Sequence, residues 1–304
     1  MYDTIIIGSG PAGIAAAIFA ARRAMKVLLL SKNVGGQVTW ATEIENYPGF
    51  KNISSFELIG RWNDHITSVG IDIKSEEVEA VEKKEDYFLI ATSNGSKNQY
   101  LSKTVIVTMG LSHRLLNVPG EAEFTGKGVS YCANCDGPFF KNKTVTVIGG
   151  GNCALDAAEV MAKIASKVYL ITRDAKLHGF ENLINEIKSK DNIEIVYNGN
   201  TKEIKGENKV SSLIVINSKT NEEKEIKTDG IFIEIGQIAK IDLVKNLVKI
   251  DEQNQIVVNA ECQTSLPGLF AAGDITNVPF KQITIAIGQG TIAALSAYKF
   301  LQPK

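Results

Sequence analysis

The chain has 304 residues, 44% of them hydrophobic and 22% charged, with a formal net charge of −1 and a pI near 6.4. That length allows about two domains with substantial cores, and the balanced charge leaves no electrostatic footprint for nucleic acid or an anionic membrane. No apolar run approaches the roughly 18 residues of a membrane span, and MYDTIIIGSG enters a buried-strand pattern without signal-peptide features, so a cytoplasmic protein with no membrane partner is expected.

Residues 3–32, DTIIIGSGPAGIAAAIFAARRAMKVLLLSK, read as a short apolar strand, a glycine turn, an Ala-rich helix and a second apolar strand. The pattern returns 141 residues later as TVTVIGGGNCALDAAEVMAKIASKVYLITR, residues 144–173, pairing Gly8 with Gly149, Gly10 with Gly151 and Gly13 with Ala154. Each copy is a βαβ unit with the G-x-G-x-x-G/A dinucleotide fingerprint. The first glycine allows the tight turn, the second lets backbone approach a pyrophosphate, and the third position keeps helix and strand close. Unpaired N–H groups and the positive helix end then face the phosphates. Two such units imply two nucleotides, most economically a tightly held FAD and a nicotinamide nucleotide. The acidic residue that grips a ribose 2′-OH is expected at the end of the second strand, where the copies carry Ser31 and Thr172 instead.

Just ahead of the second copy lies YCANCDGPFF, residues 131–140. The pair Cys132/Cys135 suits a metal clip, a staple or a redox dithiol. Four cysteines are too few for a disulfide scaffold. Zinc would need two further ligands, yet Cys153 sits in the second glycine turn, Cys262 lies far along the chain and only three histidines exist, so no metal site is expected. In a redox pair the thiolate is the nucleophile, and C-x-x-C surroundings lower a thiol pKa from roughly 8.5 toward 7. The adjacent Asp136 can supply the proton a departing thiolate needs. Cys153 reads as a small residue at a helix N-terminus, mildly acidified there, and Cys262 as an incidental surface or strand cysteine. His65, His113, Trp40 and Trp62 read as packing or surface residues.

Further along, the Lys/Glu-rich residues 220–228 read as a solvated hairpin or loop, and IFIEIG, residues 231–236, as a strand. Residues 269–272 form a buried strand ending in Gly273-Asp274, and a long apolar-periodic helix starts near Gln282. The expected architecture is α/β, with two Rossmann-like dinucleotide-binding domains, the second inserted into the first. Residues 1–115 and 240–304 form the FAD-binding domain, and residues 116–239 form the NAD(P)-binding domain that carries the cysteine pair.

With these pieces in place the chain resembles the low-molecular-weight thioredoxin reductase family over nearly its whole length. The resemblance rests on GSGPAG (8–13), GGQVTWATEIENYPG (35–49), CANCDG (132–137), GGGNCA (149–154), IGQ (235–237) and AAGD (271–274) in this order and spacing. The CDGPFF ending is also similar to the flavoprotein component of alkyl hydroperoxide reductase. The resemblance implies a homodimer that reduces a thioredoxin-like protein with electrons from NADPH through FAD. It implies that Gly10, Pro11 and Ala12 meet the FAD pyrophosphate, that Gln37 and Asn46 lie along the flavin and its chain, and that Asp274, Gln282 and Ile283 close the site. Gly8, Gly13, Gly36, Gly110 and Gly273 belong to the same set. Cys135 would face the isoalloxazine, Cys132 would attack the partner disulfide and Asp136 would move the proton. Gly149, Gly151, Asn152, Cys153, Ala154, Thr172, Arg173, Ile235 and Gly236 would hold the nicotinamide nucleotide.

One departure is plain. NADPH-dependent members carry His-Arg-Arg and a further Arg four residues on, whereas this chain reads Thr172-Arg173-Asp174 with His178 in the later place. Asp174 would repel a 2′-phosphate, which leaves NADH or a non-nicotinamide donor open beside NADPH. Three other readings remain: a flavin-dependent dithiol oxidase, a peroxiredoxin-system reductase and a non-catalytic redox-sensing flavoprotein.

Overall fold

The computed structural model describes residues 1–40, 43–71, 73–93 and 97–303. The chain divides into two compact units, Met1–Ser112 with Ile238–Lys304, and His113–Gln237.

The first unit is built on a seven-stranded sheet. Its opening strand Tyr2–Ser9 lies parallel to Val27–Val34 on one side and to Lys97–Val107 on the other, with Ile5 opposite both Leu28 and Val105. The strand Leu269–Ala271 adds in parallel beside Lys97–Val107, whose first half pairs instead with the antiparallel meander Glu77–Lys83 and Phe88–Ser93. The run Ile5-Ile6-Ile7 is apolar at every position because both faces of the sheet are covered. Ile6 packs with Leu29, Ile106 and Phe270 on one face, while Ile5 and Ile7 pack with Leu28, Leu30, Val105 and Val107 on the other. Each fully buried Ile contributes about 1.5–3 kcal/mol of hydrophobic free energy.

The helices Pro11–Arg22 and Ile283–Leu301 cover the Ile6 face. Their alanines and glycines allow backbones to approach closely: a Cβ placed on Gly290 would sit 2.0 Å from the Ala12 carbonyl oxygen. The reading of Cys262 as a surface or strand cysteine is corrected here. It is 2% exposed and its thiol donates to the Gln289 carbonyl at 3.5 Å. Burial pushes that thiol up to about 11, so it behaves as a small apolar group.

The second unit holds five parallel strands in the order Val129–Ser130, Gly230–Ile233, Thr144–Ile148, Lys167–Ile171 and Ile193–Val196. The helices Asn152–Ile164 and Glu181–Ser189 cover one face through Leu155, Ala158, Met161 and Ile187. A three-stranded antiparallel sheet, Gly199–Gly206, Val210–Asn217 and Glu223–Lys227, covers the other through Ile204, Leu213, Val215 and Ile226. The Lys/Glu-rich segment thus supplies the outer strand of a hairpin, Glu223–Lys227, in which Ile226 alone is buried. No helix among the described residues is long and apolar enough to cross a membrane.

Candidate active site

Two constellations stand out, one in each unit. In the first, the ends of the parallel strands open on a cleft of about 1090 Å³ lined by Gly8, Gly10, Pro11, Ala12, Gly36, Gln37, Asn46, Gly110, Gly273, Asp274, Gln282 and Ile283. Gly13 lies behind the turn, where a Cβ would come within 1.8 Å of the Gly8 carbonyl oxygen. Residues singled out far apart in the sequence meet here. Gln37 donates to the Asp274 carboxylate at 3.2 Å, and Asn46 donates to Gln282 at 3.2 Å, each across more than 230 residues of chain. Burial raises the pKa of Asp274, opposed by Lys281 and by the Gln37 hydrogen bond.

The cleft has the features a dinucleotide requires. The helix Pro11–Arg22 begins at Gly10 with no side-chain cap, so its first N–H groups are left for a ligand. A Cβ on Gly10 would meet only the Gly36 Cα, at 3.9 Å, and would otherwise fill the cleft itself. Ser31, which stands where the acid is missing, lines the cleft, and its hydroxyl accepts from the Ser9 N–H and donates to the Asn33 carbonyl. Ala41 and Thr42, inside the 35–49 motif, lie outside the described residues.

Sequence reasoning missed several charged groups in this cleft, Lys281 and Glu76 among them. Lys281 is anchored by the carbonyls of Asp274 at 3.0 Å and Thr276 at 2.7 Å and by Gln255 at 3.2 Å, and burial lowers its pKa against the pull of Asp274. Glu76 accepts from Thr92 at 2.6 Å, Tyr100 at 2.9 Å and Asn98 at 3.2 Å. Burial alone would raise its pKa, but those hydrogen bonds outweigh it and hold the carboxyl below its ordinary value. Lys281 adjoins the motif residue Gln282 and had a local signal; Glu76 had none, since its partners come from two other strands.

In the second unit Cys132 and Cys135 form a disulfide, with Cα atoms 5.3 Å apart. Cys132 caps the short helix Ala133–Asp136, its sulfur accepting the Cys135 N–H at 3.1 Å, and its own N–H donates to Ser130 at 3.0 Å. Asp136 ends that helix, half-buried beside the pair. Phe140 anchors the following turn edge-on to Phe232 at 5.3 Å, while Phe139 is 73% exposed.

The loop is held from its N-terminal side as well. Tyr131 stacks on His113 at 5.2 Å and donates its hydroxyl to Glu121 at 2.9 Å. Glu121, 4% exposed, also accepts the N–H groups of Leu116 and Asn117 at 2.9 and 2.7 Å. Burial, followed by this carboxylate, pushes the Tyr131 hydroxyl up to about 12 against a hydrogen bond with Thr125. Glu121→Ala will leave three donors without an acceptor and lower the stability of this unit by about 2–3 kcal/mol in urea titration, whereas Glu121→Gln will cost about half as much.

The second glycine turn is also uncapped, at Gly151. Ala154 packs beneath it, fully buried, and Asn152 accepts the Phe180 N–H at 2.8 Å. Cys153 is exposed on the turn. Its expected acidification is corrected: although the residue is exposed overall, partial desolvation of the thiol, then the charges of Glu234 and Asp156, raise its pKa against its own backbone N–H. Thr172 is 1% exposed beneath Gly150, and its hydroxyl accepts the Asp174 N–H at 3.3 Å. Arg173, Lys176 and His178 are exposed basic groups at this rim, with His178 Nε2 3.4 Å from the Asp174 carboxylate. Ile235 and Gly236 follow the strand Gly230–Ile233, Gly236 with φ +94°.

The doubled dinucleotide turn and the paired cysteines define a flavin- and nucleotide-type disulfide oxidoreductase fold, and comparison with known proteins agrees. The chain belongs to the pyridine nucleotide-disulphide oxidoreductase family, whose profile matches residues 2–290. It is 37% identical over 302 residues to the thioredoxin reductase of Treponema pallidum, covering 99% of this chain and 97% of that protein. The solved thioredoxin reductase of Lactococcus lactis superposes with a TM-score of 0.84 at 38% identity, covering 99% of both chains. A component of the alkyl hydroperoxide reductase of Pseudomonas putida is 38% identical over 99% of this chain, which spans only 58% of that protein's length.

Proposed function

We propose that this chain is a thioredoxin-disulfide reductase, taking electrons from NADPH through FAD to the Cys132/Cys135 pair and on to a thioredoxin-like protein. The observation that carries the reading is the Cys132–Cys135 disulfide, capping a short helix within a unit that also bears a dinucleotide turn. FAD suits the first unit, where Gly10, Pro11 and Ala12 would meet its pyrophosphate and Gln37, Asn46, Asp274 and Gln282 would orient the rest. When bound, FAD supplies two-electron transfer between nucleotide and disulfide.

The chain's own residues then carry out thiol exchange. The Cys132 thiolate attacks one sulfur of the partner disulfide, breaking that bond and forming a mixed disulfide. Cys135 attacks Cys132 in turn, releasing the second partner thiol and restoring the internal disulfide. Asp136 protonates the departing thiolate, and Phe139 gives the partner an apolar landing point. We further propose that the two units serve FAD and NADPH respectively, and that the enzyme works as a cytoplasmic homodimer, which sedimentation of the purified protein checks.

Arg173 is the one arginine available for a 2′-phosphate. In anaerobic stopped flow, NADPH will bleach the flavin rapidly and NADH slowly; equal sluggishness with both sinks NADPH as donor and points to another reductant. Arg173→Ala will raise the NADPH KM about tenfold or more, the worth of a charge-assisted hydrogen bond of about 1.5 kcal/mol, and leave the NADH value unchanged. Steady-state reduction of thioredoxin is the direct test of the whole reading. Oxygen consumption with a dithiol and no nucleotide would favour the oxidase instead.

A further inference from the structure

We propose that Tyr131 is a positioning residue that keeps Cys132 facing Cys135 in the reduced loop and so makes the dithiol a stronger reductant, a role that rests on the disulfide chemistry assigned above. Tyr131 immediately precedes Cys132 and is clamped through both its ring and its hydroxyl. The ring stacks on His113 with centroids 5.2 Å apart and planes 23° from parallel, and the hydroxyl donates to Glu121 at 2.9 Å. Glu121 is 4% exposed, the one charged residue so deeply buried among the described residues. A buried carboxylate is tolerated only when it is hydrogen-bonded. Besides the Tyr131 hydroxyl, this one accepts the N–H groups of Leu116 and Asn117 at 2.9 and 2.7 Å. Those two donors belong to the backbone, so the acceptor cannot drift with the loop. Tyr131 is thereby tied to a fixed point outside the C-x-x-C segment.

A second tether acts on Cys132 itself. Ser130, 6% exposed, accepts the Cys132 N–H at 3.0 Å and donates its hydroxyl to the Cys132 carbonyl at 3.3 Å. That carbonyl also accepts the Asp136 N–H at 3.1 Å. None of these contacts involves the S–S bond, so all of them can persist when it breaks. Reduction, with two electrons and two protons, turns the disulfide into two thiols and removes the covalent tie across residues 132–135. The conformational freedom released by that step favours the dithiol. Tethers that withhold this freedom keep the Cys135 sulfur at a high effective concentration beside Cys132. They therefore favour the disulfide and strengthen the dithiol as an electron donor.

The test equilibrates the holoenzyme anaerobically with graded mixtures of reduced and oxidised dithiothreitol, in which the internal S–S bond breaks as that of the cyclic oxidised reagent forms. Acid quenching, alkylation and mass spectrometry then count the Cys132 and Cys135 thiols. Tyr131→Phe keeps the ring over His113 and removes only the bond to Glu121. It will reach half-reduction at a ratio of reduced to oxidised reagent roughly three- to tenfold below that of the wild type, tenfold being about 30 mV for a two-electron couple. A role confined to stability lowers the melting temperature of both redox forms alike and leaves the midpoint where it was. An unmoved midpoint in Tyr131→Phe, or one displaced to higher ratios, overturns the proposal.

Should Tyr131→Phe fail to fold, amide hydrogen exchange of the wild type before and after reduction decides the matter. Leu116, Asn117 and Cys132 amides that stay protected in the dithiol form support the clamp, and protection lost on reduction overturns it. Both readouts use a chemical reductant, so they stand whether or not NADPH and thioredoxin prove to be the substrates.

Discussion

Cys132→Ser and Cys135→Ser will each lower thioredoxin reduction by more than about 1,000-fold, the scale of loss when a covalent nucleophile is removed, while both proteins remain folded and yellow. The small structural cost follows from the loop: a disulfide spanning four residues removes little chain entropy, so its loss costs about 2 kcal/mol. Cys132 N–H to Ser130, Asp136 N–H to the Cys132 carbonyl and the Phe140–Phe232 contact all survive the exchange of sulfur for oxygen. Flavin reduction by nucleotide will proceed in both variants, which separates loss of the dithiol from loss of the cofactor. The two variants will differ in one respect. Cys135→Ser leaves Cys132 to attack the partner with no resolving thiol, and will accumulate a mixed disulfide visible by mass spectrometry. Cys132→Ser will not. The reverse pattern would exchange the roles of the two sulfurs, and full turnover in either variant would refute the dithiol mechanism.

Gly13→Ala will empty the first unit of its flavin. A Cβ there falls 1.8 Å from the Gly8 carbonyl oxygen and 2.7 Å from the Thr108 hydroxyl, which itself donates to the Ile7 and Gly8 carbonyls at 2.9 and 2.8 Å. No rotamer relieves a clash with backbone, so the helix Pro11–Arg22 must move off the opening strand, at a cost of about 3 kcal/mol. Its N-terminus moves with it, and the N–H groups that would meet the pyrophosphate lose their aim. The flavin-to-protein ratio will fall below about one tenth of the wild-type value, and the melting temperature of this unit will drop by about 6–12 °C. The equivalent position in the second unit is Ala154, where the methyl group packs fully buried against the glycine turn. Stoichiometric flavin with an unchanged melting temperature would remove the close-packing account of Gly13.

Much of the fold was legible because its signals are local. The repeated glycine turn, the unbroken Ile5-Ile6-Ile7 run and the alanine-rich helices each follow from chain-neighbour geometry, and the α/β class came with them. Gln37, Asn46, Asp274 and Gln282 were found through motifs, and the structure brings them into one cleft. What stayed hidden depends on partners from distant segments. Glu121 follows a Pro-Gly turn, yet its worth comes from Leu116, Asn117 and Tyr131 together. Cys153 was misjudged for the same reason: the helix end is visible in sequence, whereas the acidic groups of Glu234 and Asp156 beside it are not. Cys262 was misplaced because its burial is supplied by the C-terminal helix.

The pairing of Leu269–Ala271 with Lys97–Val107, and of Gly290 with Ala12, also dictates the order in which the chain can fold during synthesis. The helix Pro11–Arg22 leaves the ribosome long before the helix that covers it, with roughly 260 residues between them; at about 5–20 residues per second that is a wait of roughly 10–50 s. His113–Gln237, by contrast, is one uninterrupted segment and has all its strands in hand before residue 269 is made. The inserted unit can therefore be complete while the unit around it still holds an open, apolar sheet edge. That interval is when the nascent chain is most exposed to aggregation, and it makes the first unit, rather than the cysteine-bearing one, the step at which a chaperone would matter.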